Sequence, residues 1–180
     1  HLTQHGCFAP PVLAGPEPLG RGHLLIEEQV TRGETRDAHE PIIRAAIARS
    51  LYTVSATLAP LLTSSTLEPH LLALLPPDKL WPKPHSKLFD FEATLAGAEE
   101  IDALARLARP HMLPVGQLVL GHSDWRAEHL RFEGERPVAA FDWDSLCKSH
   151  EPELVGFSAH AFCADWSRAN APRSTLRSWK

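Results

Sequence analysis

The chain has 180 residues, of which 43% are hydrophobic, so it can bury the core of one domain or slightly more. A formal net charge of -4 argues against the basic surface of a nucleic-acid-binding protein. No apolar run approaches the roughly 20 residues that span a bilayer, and the first five residues lack the basic and apolar regions of a signal peptide. These features predict a cytoplasmic protein without a nucleic-acid or membrane partner.

The cysteines Cys7, Cys147 and Cys163 predict neither a disulfide framework nor a zinc site. They are odd in number, far apart in the chain and without C-x-x-C spacing. We expect small thiols that are buried or half-buried.

The first 60 residues predict a loop, a strand and a long helix. Residues 1–20 predict the loop, because proline, which is frequent there, cannot continue a helix or the middle of a sheet. The apolar run from His23, which turns acidic before Val30, predicts a strand running into a turn. Proline suits the first turn of a helix, so the helix should begin at Pro41 and end near Pro60. Its apolar face recurs every three or four residues and consists of Ile43, Ile47, Leu51, Val54 and Leu58.

The middle of the chain predicts two shorter helices. Four leucines within 71–75 predict an apolar helix that a proline pair stops. After a loop over 78–91, residues 98–108 predict a helix with acids in its first turn, which Pro110 ends.

The last third predicts three strands and a helix. Residues 117–122 predict a strand that enters a loop. Residues 130–132 and 138–142 predict a hairpin with a tight turn between its strands. The acid-proline pair at 151–152 predicts the start of a helix that runs through Phe162.

One segment of the chain carries most of the chemical information. It runs Gly-His-Ser-Asp-Trp-Arg-Ala-Glu-His over 121–129 and continues after the hairpin as Phe-Asp-Trp over 141–143. A single H-x-D loop is a weak signal, because aspartate in a turn often bonds its own backbone. The combination of strand, H-x-D loop, hairpin, aspartate-tryptophan pair and acid-proline helix start is far more specific.

This combination resembles the catalytic loop and the metal-binding aspartate of kinase-fold phosphotransferases, and most closely the aminoglycoside phosphotransferase family. The resemblance extends from His1 to about Ser167. It implies an α+β, protein-kinase-like fold, mainly the helical C-terminal lobe with a small β-hairpin. Residues 1–30 would be a remnant of the N-terminal lobe and hinge, 31–167 the catalytic lobe, and 168–180 a tail that we expect to be poorly ordered.

The resemblance implies an ATP-dependent transfer of phosphate to a hydroxyl of a small molecule, such as an aminoglycoside, a sugar or a choline-like compound. Phosphoryl transfer depends on positioning and charge neutralisation more than on covalent chemistry. Asp124 would orient the acceptor hydroxyl and take its proton. Asp142 would hold Mg²⁺ against the nucleotide, since Mg²⁺ prefers hard oxygen ligands. His122 would brace the loop through a hydrogen bond.

The segment departs from the family's pattern at His129, which stands where the family has a metal-binding asparagine. Imidazole suits softer metals better than it suits Mg²⁺. Three interpretations are open: His129 coordinates the metal beside Asp142, Glu128 takes over, or His129 only hydrogen-bonds Asp124. A weaker alternative function, a metal-dependent hydrolase, would use both aspartates with His129 and His122 around one metal.

The hinge implied by the resemblance lies at Glu28, Gln29 and Val30, whose backbone would bind adenine. The family's phosphate loop and its strand-borne lysine have no counterpart, because no lysine precedes Lys79. We therefore expect a truncated chain. The alternative to an active phosphotransferase is a non-catalytic pseudokinase or remnant, and nothing in the sequence fixes an oligomeric state.

Overall fold

The computed structural model describes residues 2–70, 75–76, 78–82, 99–112 and 115–162. Over these ranges the protein is a mixed α+β structure with helices and three small antiparallel sheets of two strands each. None of the helices in the described part combines the length and apolar character that crossing a bilayer requires.

Helix α1, Pro41–Leu58, is the centre of the core. Both its start at the proline and its apolar face are confirmed, because all five predicted side chains are at most 5% exposed. They pack with residues of the strands that lead to the site, among them Leu120, Leu130 and Ala140. The face of α1 therefore fixes the position of those strands.

Strands β1, Val12–Leu19, and β2, Gly22–Glu27, form a ribbon that precedes α1. The predicted strand from His23 is confirmed as β2, but the prediction of a loop over the first 20 residues was wrong. Pro18 is tolerated because β1 pairs with one strand only. The amide hydrogen that proline lacks is therefore not needed by a second neighbouring strand. Every residue of β2 is exposed, so the ribbon contributes little to the core.

Strands β3, Leu118–His122, and β4, Leu130–Glu133, begin and follow the H-x-D loop. Strand β5, Arg136–Ala140, pairs with β4 and confirms the predicted hairpin. It ends two residues earlier than predicted, which leaves Asp142 outside the sheet.

Strand β6, Leu146–His150, was not predicted, because its polar residues hide the alternation of buried and half-buried positions. It pairs with β3 so that His122 lies opposite Leu146. The Ser123 amide continues the pairing with a 3.0 Å hydrogen bond to the Ser145 carbonyl. The two loops that follow β3 and precede β6 therefore start side by side.

Helices α2, Glu99–Ala108, and α3, Glu151–Ala161, confirm the two later helix predictions. Most of the helix predicted within 71–75 and the tail over 168–180 lie outside the described residues, as do Cys163 and most of the loop over 78–91. Cys7 and Cys147 are free thiols in buried positions, as predicted. Burial raises the pKa of both thiols.

The two adjacent isoleucines at the start of α1 allow a matched test of this core. Ile43 is fully buried, whereas Ile42 is 47% exposed. Ile43→Ala should lower the free energy of unfolding by about 2–5 kcal/mol, because it leaves a cavity in the core. Ile42→Ala should change it by less than about 0.5 kcal/mol. Urea denaturation measures both, and equal losses would contradict the packing described for α1.

Candidate active site

The H-x-D loop is held against α1 by Trp125, whose side chain is fully buried. Its indole Nε1 donates to the Ile47 carbonyl and to the Ser50 hydroxyl, both at 3.1 Å. A buried indole needs such a partner, because an unpaired N–H would lose its bond to water. Trp125 is thus a packing residue, and it holds the neighbouring Asp124 in place.

Asp142 adopts left-handed backbone, with φ 63° and ψ 39°. Among the described residues, it is the only non-glycine residue with a positive φ. Left-handed backbone strains most residues, although aspartate tolerates it better than most. The Asp142 carboxylate accepts a 3.2 Å hydrogen bond from the Ser145 hydroxyl. Backbone strain of this kind clusters at functional sites.

His122 joins the two loops from inside the protein, where its side chain is fully buried. Its Nδ1 accepts the Asp124 backbone N–H at 3.2 Å. Its Nε2 lies 3.0 Å from the Phe141 carbonyl, to which it donates. The brace expected of His122 is therefore present in the structure as a bridge between residues 124 and 141. Burial, the largest effect, lowers the pKa of His122 below its ordinary value, so the ring is neutral at pH 7.

His129 joins the same two loops from the opposite side. Its Nδ1 lies 3.0 Å from the Asp124 carbonyl oxygen, and its own carbonyl accepts the Phe141 N–H at 2.9 Å. The other ring nitrogen, Nε2, lies 2.9 Å from Nη2 of Arg126. The backbone N–H and C=O of both residue 124 and residue 141 are thus bonded to the two histidines, an arrangement that we term the histidine bracket.

The carboxylates of Asp124 and Asp142 converge at the mouth of this bracket. Their Oδ2 atoms lie 3.8 and 3.7 Å from Nδ1 of His129, and one possible ligand atom from each of the three residues lies within 4.8 Å of the others. The two aspartate side chains are 34% and 41% exposed, so they are open to a ligand. Two hard-oxygen donors on separate loops therefore meet at a site that solvent reaches.

Arg126 is the site residue that sequence reasoning missed. Its Nη2 lies 3.3 Å from Oδ2 of Asp124, and its Nε lies 3.4 Å from Oε2 of Glu128. Glu128 thus pairs with Arg126 and does not belong to the group formed by Asp124, His129 and Asp142. The sequence did offer one indication, because Arg126 follows Asp124 by two residues in a short loop and so has to lie near it.

The predicted adenine-binding hinge, residues Glu28, Gln29 and Val30, lies between β2 and α1. The Glu28 amide already donates to the Pro11 carbonyl at 2.8 Å, so it extends the pairing of the ribbon. The adenine-binding role of Glu28, Gln29 and Val30 stays a prediction.

Glu153 connects the start of α3 to the neighbouring strand. Its Oε2 accepts a 2.8 Å hydrogen bond from the Ser149 hydroxyl, and its Oε1 lies 3.4 Å from Nδ1 of the buried His70. The side chain therefore anchors α3 to β6.

A separate apolar cavity of about 300 Å³ lies between α1 and α3. Leu51, Leu154 and Phe162 are among its lining residues, and neither Asp124 nor Asp142 lines it. The polar site and the apolar cavity are thus distinct features of the molecule.

Comparison of the chain with protein-family models, with curated proteins and with solved structures finds no match. Any assignment of function therefore depends on the residues of the site and on the resemblance of their pattern.

The left-handed backbone at Asp142 can be tested apart from its carboxylate. Asp142→Gly and Asp142→Ala both remove the carboxylate, but only glycine relaxes the backbone strain. Asp142→Gly should be more stable than Asp142→Ala by about 1 kcal/mol, the left-handed penalty being partly offset by the flexibility of unfolded glycine. Denaturant unfolding of the two variants measures the difference, and a more stable alanine variant would contradict the left-handed geometry.

Proposed function

We propose that this chain is part of an ATP-dependent phosphotransferase that acts on a hydroxyl group of a small molecule. The observation that carries the proposal is the convergence of two half-exposed carboxylates, Asp124 on the loop after β3 and Asp142 on the loop before β6, around one imidazole nitrogen. The resemblance of these loops to the aminoglycoside phosphotransferase pattern supports the same function.

The chemistry assigns different tasks to the two carboxylates. Asp124 accepts the proton of the acceptor hydroxyl, a role that requires a carboxylate within hydrogen-bond reach of the substrate. Arg126, 3.3 Å from its Oδ2, restricts the orientations of that carboxylate. Asp142 is the residue that would hold Mg²⁺, which on binding would supply neutralisation of the phosphate charge.

The charge of the site favours cationic ligands. Asp124 and Glu128 share Arg126 as an ion-pair partner, Asp142 is bonded to the uncharged Ser145 hydroxyl, and Asp144 adds an exposed carboxylate two residues beyond Asp142. The excess of negative charge attracts a divalent cation and disfavours an anionic acceptor. It suits hydroxylated acceptors that carry ammonium groups, such as aminoglycosides and choline-like compounds.

A non-catalytic remnant is the second candidate function. The sequence has no lysine before Lys79, so the described residues ahead of α1 offer no counterpart of the lysine that grips ATP phosphates in the family. In this case the histidine bracket and its carboxylates would still form, but the protein would catalyse no reaction.

Nucleotide binding separates the two candidates. Titration of ATP into the protein by calorimetry should show binding that requires Mg²⁺ or Mn²⁺. Asp142→Ala should weaken it at least about tenfold, because it removes the cation's protein ligand. The control Glu135→Ala removes an exposed carboxylate in the hairpin turn and should bind like the unmodified protein. Absence of metal-dependent binding in all three proteins would favour the remnant.

The role of Asp124 predicts a different pattern. Asp124→Asn should retain metal-dependent ATP binding but lose turnover by about 10²–10⁴-fold, because the general base is gone. ADP release in the presence of aminoglycoside, sugar and choline-like acceptors measures turnover. Equal turnover in the variant and the unmodified protein would remove Asp124 from the proposed mechanism.

A further inference from the structure

We propose that His129 is a positioning residue whose Nε2 accepts hydrogen bonds from Arg126, and that it is not a metal ligand. The cleft then binds one divalent cation, with Asp142 as its principal protein ligand. The statement about the cation rests on the proposed function, whereas the state of the His129 ring can be tested without it.

Arg126 contacts the His129 ring directly. Nε2 of His129 lies 2.9 Å from Nη2 and 3.3 Å from Nε of Arg126. A guanidinium has five N–H donors and no acceptor, and it does not lose its proton in proteins. The Nε2 atom must therefore accept, which requires its lone pair to be free of a proton.

The proton of the His129 ring then lies on Nδ1. A neutral imidazole carries one proton, and the hydrogen-bond partners determine which nitrogen holds it. Nδ1 lies 3.0 Å from the Asp124 carbonyl oxygen, which can only accept. The described contacts therefore place the donor at Nδ1 and the acceptor at Nε2.

This ring has no lone pair left for a metal. A histidine ligand binds through an unprotonated nitrogen, but Nε2 is bonded to Arg126 and Nδ1 carries the proton. The carboxylates of Asp142 and Asp124 lie 3.7 and 3.8 Å from Nδ1, beyond hydrogen-bond length, and the Nδ1 proton is directed at the Asp124 carbonyl oxygen instead. His129 thus does not fit the role of the family's metal-binding asparagine.

The remaining cation ligands are unequal. Asp124 is paired with Arg126, which lies 3.3 Å from its Oδ2, so a cation there must compete with a fixed positive charge. Asp142 has the Ser145 hydroxyl as the neighbour of its Oδ2. A hydroxyl leaves the carboxylate's charge uncompensated, and this asymmetry favours a single cation at Asp142.

The two histidines of the bracket provide an internal control. His122 accepts at Nδ1 from the Asp124 amide and donates from Nε2 to the Phe141 carbonyl. His129 has the opposite arrangement, with the proton on Nδ1. One protein therefore contains both neutral tautomers, on either side of the same pair of residues.

The first experiment is long-range ¹H–¹⁵N correlation NMR of the protein labelled with ¹⁵N-histidine, with signals assigned through His122→Asn and His129→Asn. We expect the Nε2–H pattern for His122, the Nδ1–H pattern for His129, and no change in the His129 pattern on addition of Mg²⁺. An Nε2–H pattern at His129, or conversion of its Nδ1 to an unprotonated, metal-bound nitrogen, would overturn the proposal.

Variants of Arg126 test whether it is the residue that fixes the ring. Arg126→Lys keeps a charged donor and should retain the Nδ1–H pattern of His129. Arg126→Met removes the donor, so the Nε2 signal should move toward that of a protonated nitrogen. If the methionine variant gave an unchanged spectrum, Arg126 would not be the orienting group.

Mn²⁺ titration followed by electron paramagnetic resonance tests the cation. The unmodified protein should bind one Mn²⁺ in the presence of ATP, and His129→Phe, which offers no ligand atom, should neither lower the affinity nor abolish that site. Asp142→Asn should weaken binding by at least about tenfold. Loss of Mn²⁺ in His129→Phe would overturn the inference. If no Mn²⁺ binds to any protein, the proposed function fails while the NMR experiment still decides the state of His129.

Discussion

The constraint on which the site depends is that two histidines bond the same two backbone positions from opposite sides. His122 and His129 together use the amide and the carbonyl of both residue 124 and residue 141. Each bond contributes only about 1 kcal/mol net, but an unpaired backbone group at a buried position costs about 1–3 kcal/mol. Separation of the two loops would break several of these bonds together, so the carboxylates that the loops carry stay close.

The rest of the fold positions the two loops that the histidine bracket joins. The pairing of β3 with β6 aligns the starts of the two loops, and the β4–β5 hairpin returns the chain to them. Trp125 attaches the first loop to α1, and Trp143 closes the second through a 2.7 Å bond from its Nε1 to the Ala140 carbonyl. Both indoles pack edge-on against the His122 ring, which keeps water away from it. A core of modest size thus supports a polar site at its surface.

Sequence reasoning succeeded where one kind of local signal dominates. The spacing of Ile43 to Leu58 predicted α1, because burial of one helical face leaves a periodic pattern. It failed at β1, where proline was taken to exclude a strand, and at β6, where Lys148 and Ser149 obscure the pattern. The residue types at 124 and 142 indicated the carboxylates. The contacts of Arg126 and the opposite tautomers of the two histidines depend on distances that no spacing in the chain reveals.

The left-handed backbone at Asp142 also affects how the site can change during evolution. Aspartate, asparagine and glycine are the residues that tolerate such a conformation best. Single-base changes convert an aspartate codon to any of asparagine, glycine, alanine or glutamate. The backbone strain at this turn therefore decides which of these substitutions the fold tolerates. A lineage that loses the Asp142 carboxylate while keeping the fold should therefore carry asparagine or glycine here. Alanine or glutamate at this position would instead mark a chain in which the turn itself has been rebuilt.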